Sequence, residues 1–251
     1  MIERNLGSLA SREFDVLVVG GGIFGACAAW DAALRGLSVA LLERRDFGSG
    51  TSANSFKMVH GGIRYLQHAD MYRIRESSRE RSALLRIAPH LVSPLPIMIP
   101  TYGHGREGKE LLSAGMLVYD LATIDRNRGL LDPDRRIPRS RVVSREACLE
   151  ALPGLEASDL TGGALFHDAQ IHNTPRLTLA FLQSAASAGA TIANYVEASG
   201  FLQDGDSVTG VRARDVLGGD TLDVRARMVL NCAGPWATSV RSSRRPVTKN
   251  S

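Results

Sequence analysis

The segment VVGGGIFGACAAW, residues 18–30, constrains the fold more than any other part of the sequence. It overlaps the apolar run FDVLVVG, whose β-branched residues predict a parallel strand buried on both faces. The alanine-rich residues 23–34 predict a helix that ends before Gly36, and residues 37–43 predict a second buried strand. The chain is therefore expected to begin with a right-handed βαβ unit.

The spacing of Gly20, Gly22 and Gly25 matches the GxGxxG pattern of dinucleotide-binding turns. The first glycine permits the tight turn, the second lets the backbone approach a pyrophosphate, and the third lets the helix pack on the strand. The helix N-terminus adds N–H donors and the positive end of its dipole. Glu43 ends the second strand, where an acid binds a ribose hydroxyl. We therefore predict a dinucleotide site rather than glycines that only form a turn.

The residues after the second strand distinguish a flavin from a nicotinamide. Arg44 and Arg45 suit the 2′-phosphate of NADP, but the neighbouring carboxylate of Glu43 would repel that group. The next stretch, GSGTSANSFKMVHGG, is a long polar loop, whereas a nicotinamide domain normally proceeds to another βαβ step. The pattern favours FAD.

The rest of the sequence predicts further helices and strands. Helices are expected over about 70–88, 106–124 and 173–188, with a short helix that Ser144 caps. Strands are expected over 95–102, 163–168, 190–203, 206–215 and 221–234. For residues 106–124 a helix that faces the core is favoured over one that lies in a membrane surface. The pattern is α/β, with an antiparallel element late in the chain.

Composition narrows the classes of partner. The net charge is +4, but four basic residues lie in the last eleven, and the remaining charges balance. We therefore expect no nucleic acid partner. The cysteines Cys27, Cys148 and Cys232 are too widely spaced for a disulfide framework or a metal site. The histidines show no HxH or HExxH spacing, so no metal is expected. No secretory signal and no long apolar run occur, which favours a cytoplasmic chain.

A longer stretch carries a resemblance to a known family. Residues 18–52, followed by KMVHGGIRYL, resemble the FAD-dependent glycerol-3-phosphate dehydrogenases of the D-amino-acid-oxidase-like flavoprotein superfamily. The similarity continues through ERSALLRIAPHLVSPLPIMIP and ends at VLNCAGPWA, so it covers about residues 14–238. The HGGIRYL element is specific to this family, whereas the glycine pattern belongs to the wider superfamily.

The resemblance implies an α/β fold with a Rossmann-like FAD-binding domain and an inserted, incomplete α+β substrate domain. The expected boundaries are an N-terminal tail over 1–13, the FAD-binding domain over 14–94 and 189–238, the substrate domain over 95–188, and a disordered basic tail over 239–251.

The same resemblance implies the residues that contact FAD. The pyrophosphate would be lined by Gly20, Gly22, Ile23, Phe24 and Gly25, and the adenosine ribose would be held by Glu43 and Arg44. The loop along the pyrophosphate and flavin would contribute Thr51, Ser52, Ser55 and Lys57, and the backbone close to the isoalloxazine would be that of His60, Gly61 and Gly62. The adenine would meet Val196, and the strand that returns to the pyrophosphate would bring Cys232, Ala233 and Gly234.

Arg64 and Tyr65 are the candidate substrate-binding residues. An arginine suits a phosphate as a bidentate partner, and a tyrosine hydroxyl can orient a polyol. The alternative is that Arg64 is a surface charge and Tyr65 a packing residue. Trp236 is expected to pack rather than to catalyse. The chain departs from the family at IHNTPRL, where Asn173 and Pro175 stand in place of a usual pair of acids.

The activity implied is oxidation of sn-glycerol 3-phosphate to dihydroxyacetone phosphate. Hydride passes to flavin N5, and electrons leave to a quinone or another acceptor. Relatives are expected to continue for roughly 250 residues further, so we expect a C-terminally truncated chain that lacks the general base and turns over weakly or not at all. By analogy, the chain would associate peripherally with the inner face of the cytoplasmic membrane. The alternatives are an amine or amino-acid oxidase and a non-catalytic flavin-binding fragment.

Overall fold

A computed structural model describes residues 2–104 and 108–238. The helices are α1 (Leu6–Ala10), α2 (Ile23–Leu34), α3 (Met71–Ile87), α4 (Lys109–Ala122), α5 (Arg145–Ala151) and α6 (Thr174–Ser187). The strands are β1 (Glu13–Val19), β2 (Val39–Leu42), β3 (Met58–Val59), β4 (Val92–Tyr102), β5 (Arg141–Val143), β6 (Leu160–Ile171), β7 (Thr191–Ala193), β8 (Val196–Asp204), β9 (Ser207–Asp215) and β10 (Thr221–Asn231). Short 3₁₀ turns cover Ile63–His68, Pro133–Arg135 and Gly234–Trp236.

The chain divides into two units. Unit 1 joins the residues up to Ser55 with those from Asn173 onward, and unit 2 is the continuous segment Phe56–His172. The basic tail expected over 239–251 lies outside the described residues.

Unit 1 contains a six-stranded sheet in the order β7-β2-β1-β10-β9-β8. The first four strands in this order are parallel, and β9 and β8 continue the sheet antiparallel. The βαβ unit β1-α2-β2 has the predicted order, and its strands are almost fully buried because their apolar residues line the core. This parallel sheet with an antiparallel extension confirms the expected α/β class.

The N-terminal residues are folded, although a tail was expected there. The Asn5 side chain accepts a hydrogen bond from Ser8 N at 2.9 Å and so caps α1. Leu9 is fully buried in the core beneath the sheet, and Arg4 forms an ion pair with Asp215. The polar composition of this segment gave no indication that Leu9 is buried or that Arg4 pairs with the distant Asp215.

The single strand expected over 190–203 is two strands. β7 pairs parallel to β2, whereas β8 pairs antiparallel to β9. The chain changes direction between them at Tyr195, whose φ is +54°. α6 begins as expected, because the Asn173 side chain accepts a hydrogen bond from Arg176 N at 3.0 Å and Pro175 lies in the first turn.

Unit 2 is built around the long antiparallel pair of β4 and β6. β3 and β5 also pair with β6, and α3, α4 and α5 contact this sheet. The unit begins near residue 56 rather than at the expected residue 95, because β3 is already part of its sheet. It ends near residue 172 rather than 188, because α6 packs on α2 of unit 1, with Trp30 and Phe181 in edge contact at 5.3 Å.

Within the described ranges, none of the helices has the length and apolar character needed to cross a membrane.

Candidate cofactor-binding and substrate-binding residues

Three of the predicted cofactor positions lie at the carboxyl ends of adjacent parallel strands. Gly20 follows β1, Glu43 follows β2 and Cys232 follows β10. The order of these strands is β2-β1-β10, so the three positions share one edge of the sheet. Ligands of open α/β sheets bind outside the carboxyl ends of the strands. The fold of unit 1 therefore gathers residues that are far apart in the sequence at the edge where a nucleotide is expected.

The glycine turn depends on two positions that accept no side chain. Gly20 has φ +113°, and a Cβ there would lie 2.5 Å from the carbonyl oxygen of Cys232. A Cβ on Gly25 would overlap the carbonyl oxygen of Gly20. Because both obstructing atoms are backbone, no rotamer change could relieve the clash. The turn after β1 and the first turn of α2 are thus packed at backbone distance.

The N-terminus of α2 carries donors for an anion. Gly22 is the N-cap residue, and the N–H of Ile23 donates to Ser52 Oγ at 2.9 Å. Helix geometry provides no acceptor within the helix for the N–H groups of Phe24 and Gly25. Backbone donors and the helix dipole at this end suit a pyrophosphate. Ser52, which is 29 positions after Ile23, fixes the polar loop against the helix.

Glu43 is held by the backbone on both sides. Its Oε2 accepts from Gly21 N at 2.7 Å, and its Oε1 accepts from Arg45 N at 2.8 Å. The carbonyl oxygen of Glu43 accepts from Val196 N at 2.8 Å. Each carboxylate oxygen has a further lone pair, so the group can still accept a ribose hydroxyl. These hydrogen bonds also bring Val196, the predicted adenine contact, next to Glu43.

The side chain of Arg44 stacks on an aromatic ring. Its guanidinium carbon lies 4.6 Å from the ring centroid of Trp236, and a Cβ on Gly50 would lie 3.1 Å from the same ring. Trp236 is thus engaged in packing, in agreement with the expectation from the sequence. Arg44 is correspondingly oriented by the indole at the end of β2.

The other predicted residues of unit 1 lie in two loops. Cys232 N donates to Val19 O at 2.8 Å, and burial raises the pKa of the Cys232 thiol. Ala233 N donates to Asn231 Oδ1 at 3.2 Å, and Gly234 begins a 3₁₀ turn with φ +59°. Thr51 and Ser55 are exposed in the polar loop. Their assigned roles stay predictions.

The HGG segment lies in unit 2 and is anchored by one buried carboxylate. Asp168 Oδ1 accepts from Gly61 N at 2.7 Å and from Arg81 Nη1 at 2.9 Å, and Asp168 Oδ2 lies 3.2 Å from His60 Nδ1. The side chains of Arg81 and Asp168 are 0% and 1% exposed, whereas that of His60 is 65% exposed. Lys57, which is exposed, precedes this segment with φ +60°.

Tyr119 completes the contacts of Gly61. Its hydroxyl donates to Gly61 O at 3.1 Å, and Arg81 Nη1 lies 3.3 Å from the same hydroxyl. Burial raises the pKa of Tyr119, so its phenol stays protonated and keeps donating. A Cβ on Gly61 would overlap both Arg81 Nη1 and the Tyr119 hydroxyl. We call Arg81, Tyr119 and Asp168 the buried polar cluster.

The two candidate substrate residues follow directly. Gly62, with φ +84°, is the N-cap residue of the 3₁₀ turn that contains Arg64 and Tyr65. Arg64 is exposed, while Tyr65 is half-buried beneath the guanidinium of Arg73 at 5.6 Å. The exposure of Arg64 fits either a phosphate ligand or a surface charge.

Sequence reasoning did not identify the buried polar cluster. Arg81 lies on the same face of α3 as the buried residues Ile74, Ser78 and Leu85. Asp168 interrupts the buried strand β6. A charge on an otherwise apolar face of a helix or strand was the available signal, because such a charge needs a partner. In the described part of the chain, no three His, Cys, Asp or Glu side chains gather where they could hold a metal ion.

The sheet edge, glycine turn and capped helix of unit 1 define a dinucleotide-binding α/β protein. The model of the FAD dependent oxidoreductase (DAO) family matches residues 15–250. The chain therefore belongs to this family, whose cofactor is FAD, and the expected superfamily and cofactor are confirmed.

Individual relatives are similar over most of this chain. The mitochondrial glycerol-3-phosphate dehydrogenase of Bos taurus is 43% identical over 244 residues, which cover 92% of this chain and 32% of the relative. The glycerol-3-phosphate dehydrogenase of Synechocystis is 37% identical and is covered to 42%. The structure of the Bacillus halodurans glycerol-3-phosphate dehydrogenase complexed with FAD is 29% identical, with a TM-score of 0.69 over 95% of this chain and 38% of that chain. The chain thus spans about a third to two-fifths of the length of these proteins.

Proposed function

We propose that the chain serves FAD-dependent oxidation of sn-glycerol 3-phosphate to dihydroxyacetone phosphate. The observation that carries the proposal is the 43% identity over 92% of the chain to a glycerol-3-phosphate dehydrogenase. The family membership supplies the reaction type, which is flavin-dependent oxidation. An amine or amino-acid oxidase of the same family is the alternative.

The residues of unit 1 fit FAD. The backbone already fills the space that a Cβ at Gly20 or Gly25 would need, so the turn has the tight strand-turn-helix packing that is typical of dinucleotide-binding motifs. The N–H groups of Phe24 and Gly25 would donate to phosphate oxygens, and Glu43 would accept a ribose hydroxyl. Bound FAD would supply the hydride acceptor, its N5 atom.

The residues after HGG in unit 2 would bind the substrate. Arg64 is exposed and carries a forked set of donors that matches a phosphate, and Tyr65 offers a hydroxyl for the polyol. Arg64 would then make the site select glycerol 3-phosphate over glycerol, because glycerol has no phosphate to form the bidentate contact.

We further propose a quinone or a similar acceptor, and a cytoplasmic chain that associates peripherally with the inner face of the membrane. The membrane association is supported by α4, which faces the core with the buried residues Met116 and Tyr119, as expected, but leaves Leu111, Leu117 and Leu121 57%, 62% and 61% exposed on its other side. Such a leucine face suits a lipid interface. Co-sedimentation with phospholipid vesicles tests it: Leu117→Gln should weaken sedimentation, and equal sedimentation of both proteins would contradict it.

Anaerobic reduction of the FAD-loaded chain tests the activity. A single reduction of the flavin needs no repeated turnover, so glycerol 3-phosphate should bleach the flavin absorbance even in a chain that turns over weakly, whereas glycerol should not. Bleaching by amines or amino acids, and not by glycerol 3-phosphate, would establish the alternative. Failure to retain FAD would contradict the assignment of unit 1.

A variant pair tests the substrate residues. Arg64→Ala should raise the glycerol 3-phosphate concentration for half-maximal bleaching about 10- to 100-fold, because a charge-assisted contact is lost. Arg79→Ala removes another exposed arginine of unit 2 and should leave that concentration unchanged. Equal effects of the two substitutions would show that Arg64 is only a surface charge.

A further inference from the structure

The two carboxylate oxygens of Asp168 hold His60 and Gly61, the first two residues of the HGG segment. The carboxylate of Asp168 meets the ring of His60, the backbone N–H of Gly61 and the guanidinium of Arg81. A buried carboxylate is stable only when it is neutralised and hydrogen-bonded, and Arg81 supplies the opposite charge at 2.9 Å. Arg81 thus fixes Asp168 by an ion pair, and the other lone pairs of the carboxylate oxygens accept from Gly61 N–H and face His60 Nδ1.

This arrangement determines which nitrogen of His60 carries the proton. A carboxylate is an acceptor only, so the nitrogen that faces it must donate. Nδ1 of His60 faces Asp168 Oδ2 at 3.2 Å, and it therefore holds the hydrogen when the ring is neutral. Nε2 is then left with a lone pair, on a side chain that is 65% exposed.

We propose that Asp168, neutralised by Arg81, is a positioning residue that fixes the Nδ1–H form of His60 and the backbone of Gly61. The contribution to oxidation rests on the proposed function, in which a hydroxyl of glycerol 3-phosphate could donate to His60 Nε2. Asp168 itself is buried and reaches the reaction only through His60 and Gly61.

The tautomer of His60 can be read without flavin or substrate. In the ¹⁵N-labelled 251-residue chain at pH 8.5, the imidazole ¹⁵N shifts report which nitrogen is protonated, and His60→Gln assigns the signals. We expect the proton on Nδ1. A proton on Nε2 in the unsubstituted chain would overturn the proposal, and this measurement requires no Asp168 variant to fold.

Asp168→Asn changes the outcome in a specific direction. An amide has one oxygen, which would be retained by Gly61 N–H and Arg81, so its NH₂ group would face His60 Nδ1 and move the proton to Nε2. Tyr119→Phe is the matched control, because it loosens Gly61 O but leaves the carboxylate in place. It should keep the Nδ1–H form. An unchanged tautomer in a folded Asp168→Asn protein would overturn the proposal.

The kinetic consequence separates positioning from structural support. In the FAD-loaded chain, Asp168→Asn should lower the maximal rate of flavin reduction by about 10²- to 10⁴-fold, with a much smaller change in the substrate concentration for half-maximal rate. A merely structural role would lower stability alone. If the tautomer behaves as expected but glycerol 3-phosphate reduces no flavin, the proposed function fails and the role of Asp168 stands. If glycerol 3-phosphate reduces the flavin but the proton lies on Nε2, the proposed function stands and the proposed role of Asp168 fails.

Discussion

The two glycine loops of the molecule are held by different kinds of atom. In unit 1, Gly20 and Gly25 are pressed against backbone carbonyls, and Ser52 and Glu43 satisfy the adjacent N–H groups. In unit 2, Gly61 is pressed against the ends of two side chains, Arg81 and Tyr119. Backbone carbonyls cannot be removed by a side-chain substitution, whereas the contacts of Gly61 depend on two particular side chains. The first loop should tolerate loss of single side chains, and the second should not.

The largest effect is expected from breaking the buried ion pair of unit 2. Arg81→Met leaves the carboxylate of Asp168 buried without its counter-charge, which should cost about 3 to 5 kcal/mol of unfolding free energy. Urea denaturation measures this. Arg35→Met removes the arginine of the exposed Asp31 pair and should leave the urea midpoint almost unchanged. Similar midpoints for the two variants would contradict the difference between the loops.

A methyl group on Gly25 should be nearly as damaging to unit 1. Its Cβ would overlap the carbonyl oxygen of Gly20, so the strand-turn-helix junction must open, at a cost of about 3 kcal/mol. Urea denaturation again measures it. Gly200→Ala is the control, because a Cβ there meets no atom within 4 Å. It should change stability by less than about 0.5 kcal/mol.

A double-mutant cycle sharpens the contrast at Gly61. Gly61→Ala should be less destabilising in the Arg81→Met background than alone, with a coupling of about 1 to 2 kcal/mol, because one obstructing group has gone. No comparable side chain can be removed for Gly25. Strict additivity in the Gly61 cycle would show that the crowding there is not due to Arg81.

The smallest effect is expected from the hydroxyl that caps α2. Ser52→Ala removes the acceptor of Ile23 N and should cost about 1 kcal/mol. Thermal unfolding measures this loss of stability. The exposed Ser49 lies in the same loop, and Ser49→Ala should have no measurable effect on thermal unfolding. A loss of several kcal/mol for Ser52→Ala would mean that the loop of unit 1 also depends on single side chains.

The contrast between the loops also explains what could be predicted from the sequence. The β1-α2-β2 unit and its glycine turn are local, so strand patterning, glycine spacing and Glu43 were sufficient. The buried polar cluster joins residues as far as 87 positions apart, and no spacing rule connects Arg81 with Asp168. α1 was missed for the same reason, since Leu9 is explained only by a core that later strands complete.

The boundary between the two units is another feature that depends on residues far apart in the sequence. Residues 58–59 form a strand only because β6 accepts them as a partner more than 100 positions later. The sequence also did not predict that residues 190–203 form two strands. Their apolar pattern continues past Tyr195, although the positive φ of that residue turns the chain. Pairing over long distances, and not local preference, sets these features.

The position of β10 beside β1 has a consequence for synthesis on the ribosome. Glu13 pairs with Arg225, so about 210 residues must be made after β1 before its partner strand exists. At about 5 to 20 residues per second, β1 waits for roughly 10 to 40 s with one edge unpaired. The continuous unit 2 is complete before then. Protection of that nascent edge from other chains, as chaperones provide, should therefore govern the yield of folded protein.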